Sequence, residues 1–223
     1  MPTSTELIQD VKDAVLGASF SNATILRALN KGISRVAGMV LLPDLETSNT
    51  VTTGTANYQA FPVDFHREIQ AVYDHTTETK IKIYDSFLEF LNRYPGLGET
   101  GSSVSAVSKR ASRLYYQPIP DSAETLTVYY YRKPTAMVEP STPPDEDDQT
   151  TPDGIPDHLA VDLLVSFAAM DLWRNIEQDE NNQPNVEKYA ALFRMALMEL
   201  REFVGEDEGE PDYITRNWGG EAL

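Results

Sequence analysis

Apolar positions recur at helical intervals towards both ends of the chain and alternate through its middle. Thr3 and Glu6 have capping-box spacing, and Leu7, Ile8, Val11 and Val15 follow on one face of a helix that Gly17 can stop. Ser21 or Asn22 can cap a second helix whose stripe is Ile25, Leu29, Ile33, Val36 and Val40, ended by Leu42-Pro43-Asp44. From about Thr47 to Lys133 β-branched and aromatic residues alternate between turns. Strands are expected at Thr50 to Thr53 and Tyr58 to Phe61 around Gly54, and at Glu68 to Tyr73 and Thr79 to Tyr84 as a hairpin. Ser86 to Arg93 reads as a short helix stopped by Pro95-Gly96. Further strands fall at Ala106 to Ala111, Arg113 to Gln117 and Thr125 to Arg132, the last with Leu126, Val128 and Tyr130 on one face. Two longer helices close the pattern, about Pro156 to Gln178 and Pro184 to Val204, with Pro156 and Asp157 suited to a helix start.

The expected fold class is therefore α+β: a bundle of about four helices, two N-terminal and two C-terminal, with an inserted antiparallel β domain and an extended C-terminal tail. The expected segments are 1–45 (N-terminal helices), 46–133 (β insert), 134–155 (linker), 156–204 (C-terminal helices) and 205–223 (tail). The linker is rich in proline, and Glu139 to Asp157 carries seven acidic residues and no basic one. A stretch of that kind reads as a crossover or an interaction loop.

Leu159 to Trp173 departs from a simple amphipathic stripe. Twelve of its fifteen residues are apolar, and at helical spacing they cover nearly the whole circumference. Such a helix must be covered on almost every side. Three partner helices leave part of it wet, so Leu163, Phe167, Met170 and Trp173 are candidate subunit contacts. The plainer alternative is a central helix buried inside its own bundle.

Composition narrows the chemistry. The 223 residues include no cysteine, which removes disulfides and thiol catalysis. A net charge of −17 repels phosphate backbones and anionic membranes, and the N-terminus has no signal-peptide character. The expectation is an acidic protein made in the cytoplasm, away from membranes. Gly96-Leu-Gly98-Glu-Thr-Gly101 spells G-x-G-x-x-G but lacks the strand before and the helix after that phosphate binding needs. His158 and Asp162 have metal-pair spacing on a helix without a convincing third ligand. No nucleophile signature appears, so no catalytic, cofactor or metal residue is expected. Lys80, Lys82, Lys109, Arg110 and Arg113 form the one cationic concentration, read as strand-edge charge ahead of a nucleic-acid patch.

The order of elements then meets a set of short words. Leu29-Asn30-Lys31-Gly32-Ile33, Val36-Ala37 and Leu42-Pro43-Asp44-Leu45 resemble the opening of head–tail adaptor proteins of short-tailed bacteriophages. Tyr58, Pro62, Asp64 and Phe65 resemble the strand and Pro-x-Asp turn that follow. Gln117-Pro118-Ile119-Pro120 with Val128 to Pro134 resembles the closing strands, and Ile155 to Ala160 the return into the bundle. The resemblance implies a non-enzymatic virion protein of the phage neck without cofactors. It would form a ring, commonly of twelve copies, between the portal protein and the tail nozzle or tail fibre proteins, with DNA passing through unbound. By the same likeness Tyr213, Ile214 and Trp218 in the tail would anchor in portal clefts; the plainer alternative is a frayed end with incidental aromatics. Rival readings are another neck or tail ring component without portal contact, and a small-molecule-binding enzyme with a deep pocket and a perturbed titratable pair.

Overall fold

The computed structural model describes residues 1–15, 20–139, 150–176 and 183–205. The chain divides into two compact units, Met1–Asp44 with the residues from Pro134 onward, and Leu45–Lys133. The first is helical and the second is built on sheets, so the fold is α+β as the pattern predicts. The expected tail and the middle of the linker lie outside the described residues, as does Gly17.

In the helical unit, α1 (Ser4–Ala14) starts at the expected capping box. Thr3 Oγ1 accepts from the Glu6 amide at 3.3 Å, and Glu6 Oε2 accepts from the Thr3 amide at 2.8 Å. Helix α2 (Asn22–Met39) is capped by Ser21, whose Oγ accepts from the Thr24 amide at 3.2 Å. Its stripe of Ile25, Leu29, Ile33 and Val36 is buried. The C-terminal helices are α4 (Asp157–Ile176) and α5 (Gln183–Val204), α3 being the short helix in the other unit. Helix α4 packs against α1, α2 and α5.

Gly32 lets α2 and α4 approach closely. A Cβ there would lie 3.1 Å from Phe167 Cδ1 and 3.3 Å from a Leu164 methyl, tighter than ordinary packing. One residue earlier, Lys31 ion-pairs with Asp171 of α4. Asn30 holds the linker: its Nδ2 donates to the Met137 carbonyl at 2.9 Å and its Oδ1 accepts from the Met137 amide at 2.8 Å. The flanks of the expected linker are thus bonded rather than loose. The Ser4 amide donates to the Thr150 carbonyl at 2.8 Å, and the Thr135 amide donates to Asp153 Oδ2 at 2.6 Å.

The sheet unit contains β1 (Glu46–Thr52), β2 (Tyr58–Ala60), β3 (Phe65–Asp74), β4 (Lys82–Tyr84), α3 (Phe87–Arg93), β5 (Thr100–Gly101), β6 (Ala106–Arg110), β7 (Arg113–Gln117), β8 (Ile119–Pro120) and β9 (Thr125–Arg132). One sheet runs β1-β9-β3, a second β2-β7-β6-β4, and a third is the pair β5-β8. Antiparallel pairing dominates, but β4 runs parallel to β6 and β5 parallel to β8, which local alternation does not reveal. Leu126, Val128 and Tyr130 of β9 are fully buried with Val72, Val107, Leu114 and Tyr116, on the face the alternation predicts.

Two local expectations change. The strands on either side of Gly54 join different sheets, β1 with β9 and β2 with β7. Gly54 is instead tied to β7, its amide donating to the Tyr116 hydroxyl at 2.9 Å. The expected hairpin after β3 survives only as a short stem, with an isolated bridge from Tyr73 to Lys80. Beyond it the chain leaves β3 and pairs Lys82 with Ala106.

If Asn30 is what fixes the linker to α2, Asn30→Ala leaves both backbone groups of buried Met137 without partners. We expect a loss of about 1–3 kcal/mol in the helical unit, read by urea unfolding followed by far-UV circular dichroism.

Candidate functional site

The candidate contact residues on α4 are placed by its neighbours. Leu163 is 0% exposed, and Phe167 and Met170 are also buried, while Trp173 is half-buried. Phe167 meets the Phe193 ring edge-on at 5.3 Å between centroids. Leu163, Phe167 and Met170 are therefore interior residues of their own unit rather than free surface, because α1, α2 and α5 together cover most of the circumference of α4.

Apolar surface lies one layer out. On α5, Phe193, Ala196 and Leu200 turn inward, whereas Leu192, Met195 and Met198 face solvent, Met195 at 60% and Met198 at 68% exposure. Phe203 of α5 is exposed as well. With Val161 and Val165 of α4, Leu192 and Met195 border a groove of about 300 Å³ between the two helices. Large unbranched thioethers held in water form an adaptable contact surface.

A second groove, of about 640 Å³, lies between α2, α4 and α5. Lys31, Arg35, Arg174 and Arg194 line it together with a single acid, Asp171. Its apolar wall includes Phe167, Phe193 and Leu197. The sequence reading missed this cationic cluster. Lys31 and Arg35 show helical spacing, but Arg174 and Arg194 come from two other helices and only the fold brings them together.

Four of the five cations noticed in the sequence sit over aromatic rings. In the sheet unit, Lys82 sits over the Tyr84 ring at 4.4 Å, Arg113 over Tyr58 at 4.3 Å, Arg110 over Phe87 at 4.8 Å and Lys109 over Phe65 at 5.6 Å. The glycine loop is likewise tied down. The Leu97 carbonyl accepts from Gln117 Nε2 at 2.8 Å and from Asn57 Nδ2 at 3.1 Å. A Cβ on Gly101 would lie 3.0 Å from the Pro118 ring, so this glycine serves strand pairing. The His158 ring packs edgewise on Phe203 at 4.9 Å. Among the described residues no three His, Asp or Glu side chains converge on a metal position, and no helix is long and apolar enough to cross a membrane. Tyr213, Ile214 and Trp218 lie outside the described residues.

Titration is perturbed where Asp74 meets Glu124. Asp74 is held down at about 2, first by its hydrogen bond with Glu124 and then by the Thr77 amide. Glu124 is pushed up, first by burial and then by Asp74. Both carboxyls brace backbone: Asp74 Oδ1 accepts from the Thr76 and Thr77 amides at 2.7 and 2.6 Å, and Glu124 Oε2 from the Val104 amide at 2.8 Å. This is a turn device of the sheet unit, in keeping with a structural part.

The Pro-x-Asp turn has a similar role. The Asp64 carboxylate accepts from the Tyr130 hydroxyl at 2.7 Å and its carbonyl from the Lys133 amide at 2.7 Å, closing the end of β9. Tyr130 is pushed up to about 12, chiefly by burial and next by Asp64. Several motifs that carry the family resemblance thus perform an internal job, and the sequence model of the SU10 adaptor protein family matches residues 2–216.

The chain belongs to the SU10 adaptor protein family.

No curated protein matches the sequence. Membership makes this a phage adaptor protein with a structural rather than an enzymatic role, and implies a place in the virion neck in association with portal or tail proteins.

Because the folded-state value of Asp74 lies below its ordinary one, the stability its carboxylate gives by accepting from the Thr76 and Thr77 amides is present above about 3.8 and is lost as pH falls through about 2, whereas its bond with Glu124 lasts only while the pair shares a proton. We expect Asp74→Asn to be less stable than the parent at neutral pH and to lose less stability on acidification across that window. Urea unfolding of the tyrosine-rich sheet unit by near-UV circular dichroism checks this.

Proposed function

We propose that this adaptor assembles as a ring, of twelve copies, in the neck of a short-tailed phage, where it joins the portal protein to the tail nozzle. DNA passes through the lumen without specific binding, which an overall charge of −17 favours by discouraging phosphate adhesion.

The observation that carries this reading is the ridge of Leu192, Met195 and Met198 on the outer face of α5. A ring needs a patch on each copy that meets a different patch on the next. An apolar ridge left exposed among the described residues of a rigid helix suits one side of such a contact, with the half-buried Trp173 of α4 as a further candidate beside the buried Leu163, Phe167 and Met170. In the tail, Tyr213, Ile214 and Trp218 serve as aromatic and aliphatic anchors for the portal.

Mass photometry of the protein alone and mixed with its portal tests the assembly. The double variant Leu192→Asp, Met195→Asp is expected to keep the parental far-UV spectrum and to form no ring; normal rings from it would refute the contact. Removing 206–223 is expected to weaken portal binding at least tenfold, about 1.4 kcal/mol, in a pull-down titration. Unchanged affinity would remove the docking role of Tyr213 and Trp218.

A further inference from the structure

The groove between α2, α4 and α5 has no part in the contacts proposed above. In a chain of −17 it gathers Arg35, Arg174 and Arg194, all exposed and none with a hydrogen bond or ion pair among the described residues. The fourth cation, Lys31, is already paired with the one acid, Asp171. Guanidiniums set side by side repel one another and match carboxylates well. Beneath them the Phe193 and Leu197 side chains supply an apolar wall. The complementary ligand is an acidic peptide with aromatic or aliphatic anchors.

The chain carries one such segment. Residues 206–223 hold six acidic side chains against Arg216 alone, with Tyr213, Ile214 and Trp218 among them. Its distance from the groove also fits. From Val204, the last residue of α5, back to Arg194 is ten residues of helix, about 15 Å. Tyr213 lies nine residues beyond Val204, a reach of up to about 30 Å when extended. The segment can therefore fold back onto the groove of its own copy, where tethering raises its effective concentration to roughly millimolar.

We propose that the α2–α4–α5 groove is the seat of the chain's own acidic C-terminal segment, 206–223, in the unassembled subunit. The contact stands without the ring or the portal. If the portal reading also holds, the same segment has two seats, and docking on the portal must first withdraw it from the groove. The closed state then lowers apparent portal affinity by the fraction of time it is occupied.

The absence of cysteine allows a direct test in the full chain. Ser34→Cys, on the groove, is combined with Asn217→Cys and oxidised at low salt. An intramolecular disulfide is expected to form roughly tenfold faster than in a control pairing Ser102→Cys with Asn217→Cys. Adding Arg174→Glu and Arg194→Glu to the Ser34 pair is expected to abolish that advantage with an unchanged far-UV spectrum, and high salt is expected to shrink it. Trapping no faster than the control, trapping insensitive to the charge reversal, or disulfide-linked dimers in place of monomers would each overturn the proposal. So would a duplex DNA fragment bound by the parent and released by the same reversal while trapping is absent, since the groove would then serve phosphate. A failure here leaves the ring and portal tests untouched, because neither reads the groove.

Discussion

The structure is organised by the refusal of α4 to be left wet. Its apolar side chains run around the helix, so it gains stability only where partners close on several sides at once. Those partners are α1 and α2 from one end of the chain and α5 from the other. Burying α4 therefore draws together segments separated by the whole sheet unit, and 45–133 leaves and re-enters the helical unit as a consequence. The details that hold this arrangement are short-range: Gly32 admits Phe167, Lys31 meets Asp171, and Asn30 pins Met137.

Helices and their caps were legible because their determinants lie within a few residues of one another. Thr3 with Glu6, Ser21 with Thr24 and Ser86 with Glu89 are local bonds, and each begins a helix where the pattern places one. The inward face of β9 was legible for the same reason. The pairing of strands was not. Whether Lys82–Tyr84 joins β3 or β6 depends on a partner more than twenty residues away, and alternation is the same for a parallel and an antiparallel neighbour. Tyr131 shows the limit of alternation itself. It sits on the face opposite Leu126 and Tyr130 yet is buried, its hydroxyl donating to Glu46 Oε1 and accepting from Gln70 Nε2, both at 2.8 Å.

Surface chemistry was harder still. An all-round apolar helix announces that it must be covered but not by what, so the sequence could not separate a subunit contact from an interior packed by three neighbours. The ridge at Leu192, Met195 and Met198 had no signature because α5 is apolar on two sides, and periodicity alone cannot say which side meets α4. The arginine groove was invisible for a different reason. Its members sit at positions 35, 174 and 194, and a cluster assembled from three helices has no signature along the chain.

The words that revealed the family are internal ones, and this bears on where specificity resides. Asn30 has both amide functions on Met137, Lys31 is paired, Gly32 is filled by Phe167, and Asp64 holds Tyr130 and Lys133. A polar group whose hydrogen bonds are consumed inside the fold has less to offer a partner without first breaking them. These residues specify the adaptor scaffold, and a relative with a different neighbour in the virion could keep them all. Partner choice must be written on positions that the scaffold leaves unsatisfied. Among the described residues of the helical unit those include the solvent-facing thioethers of α5 and the arginines across α2, α4 and α5, one surface apolar and the other charged. Two surfaces of opposite character on one small unit cannot both be matched by the same partner surface. A groove lined by cations matches an acidic surface better than an apolar one, whereas the thioether ridge matches an apolar one.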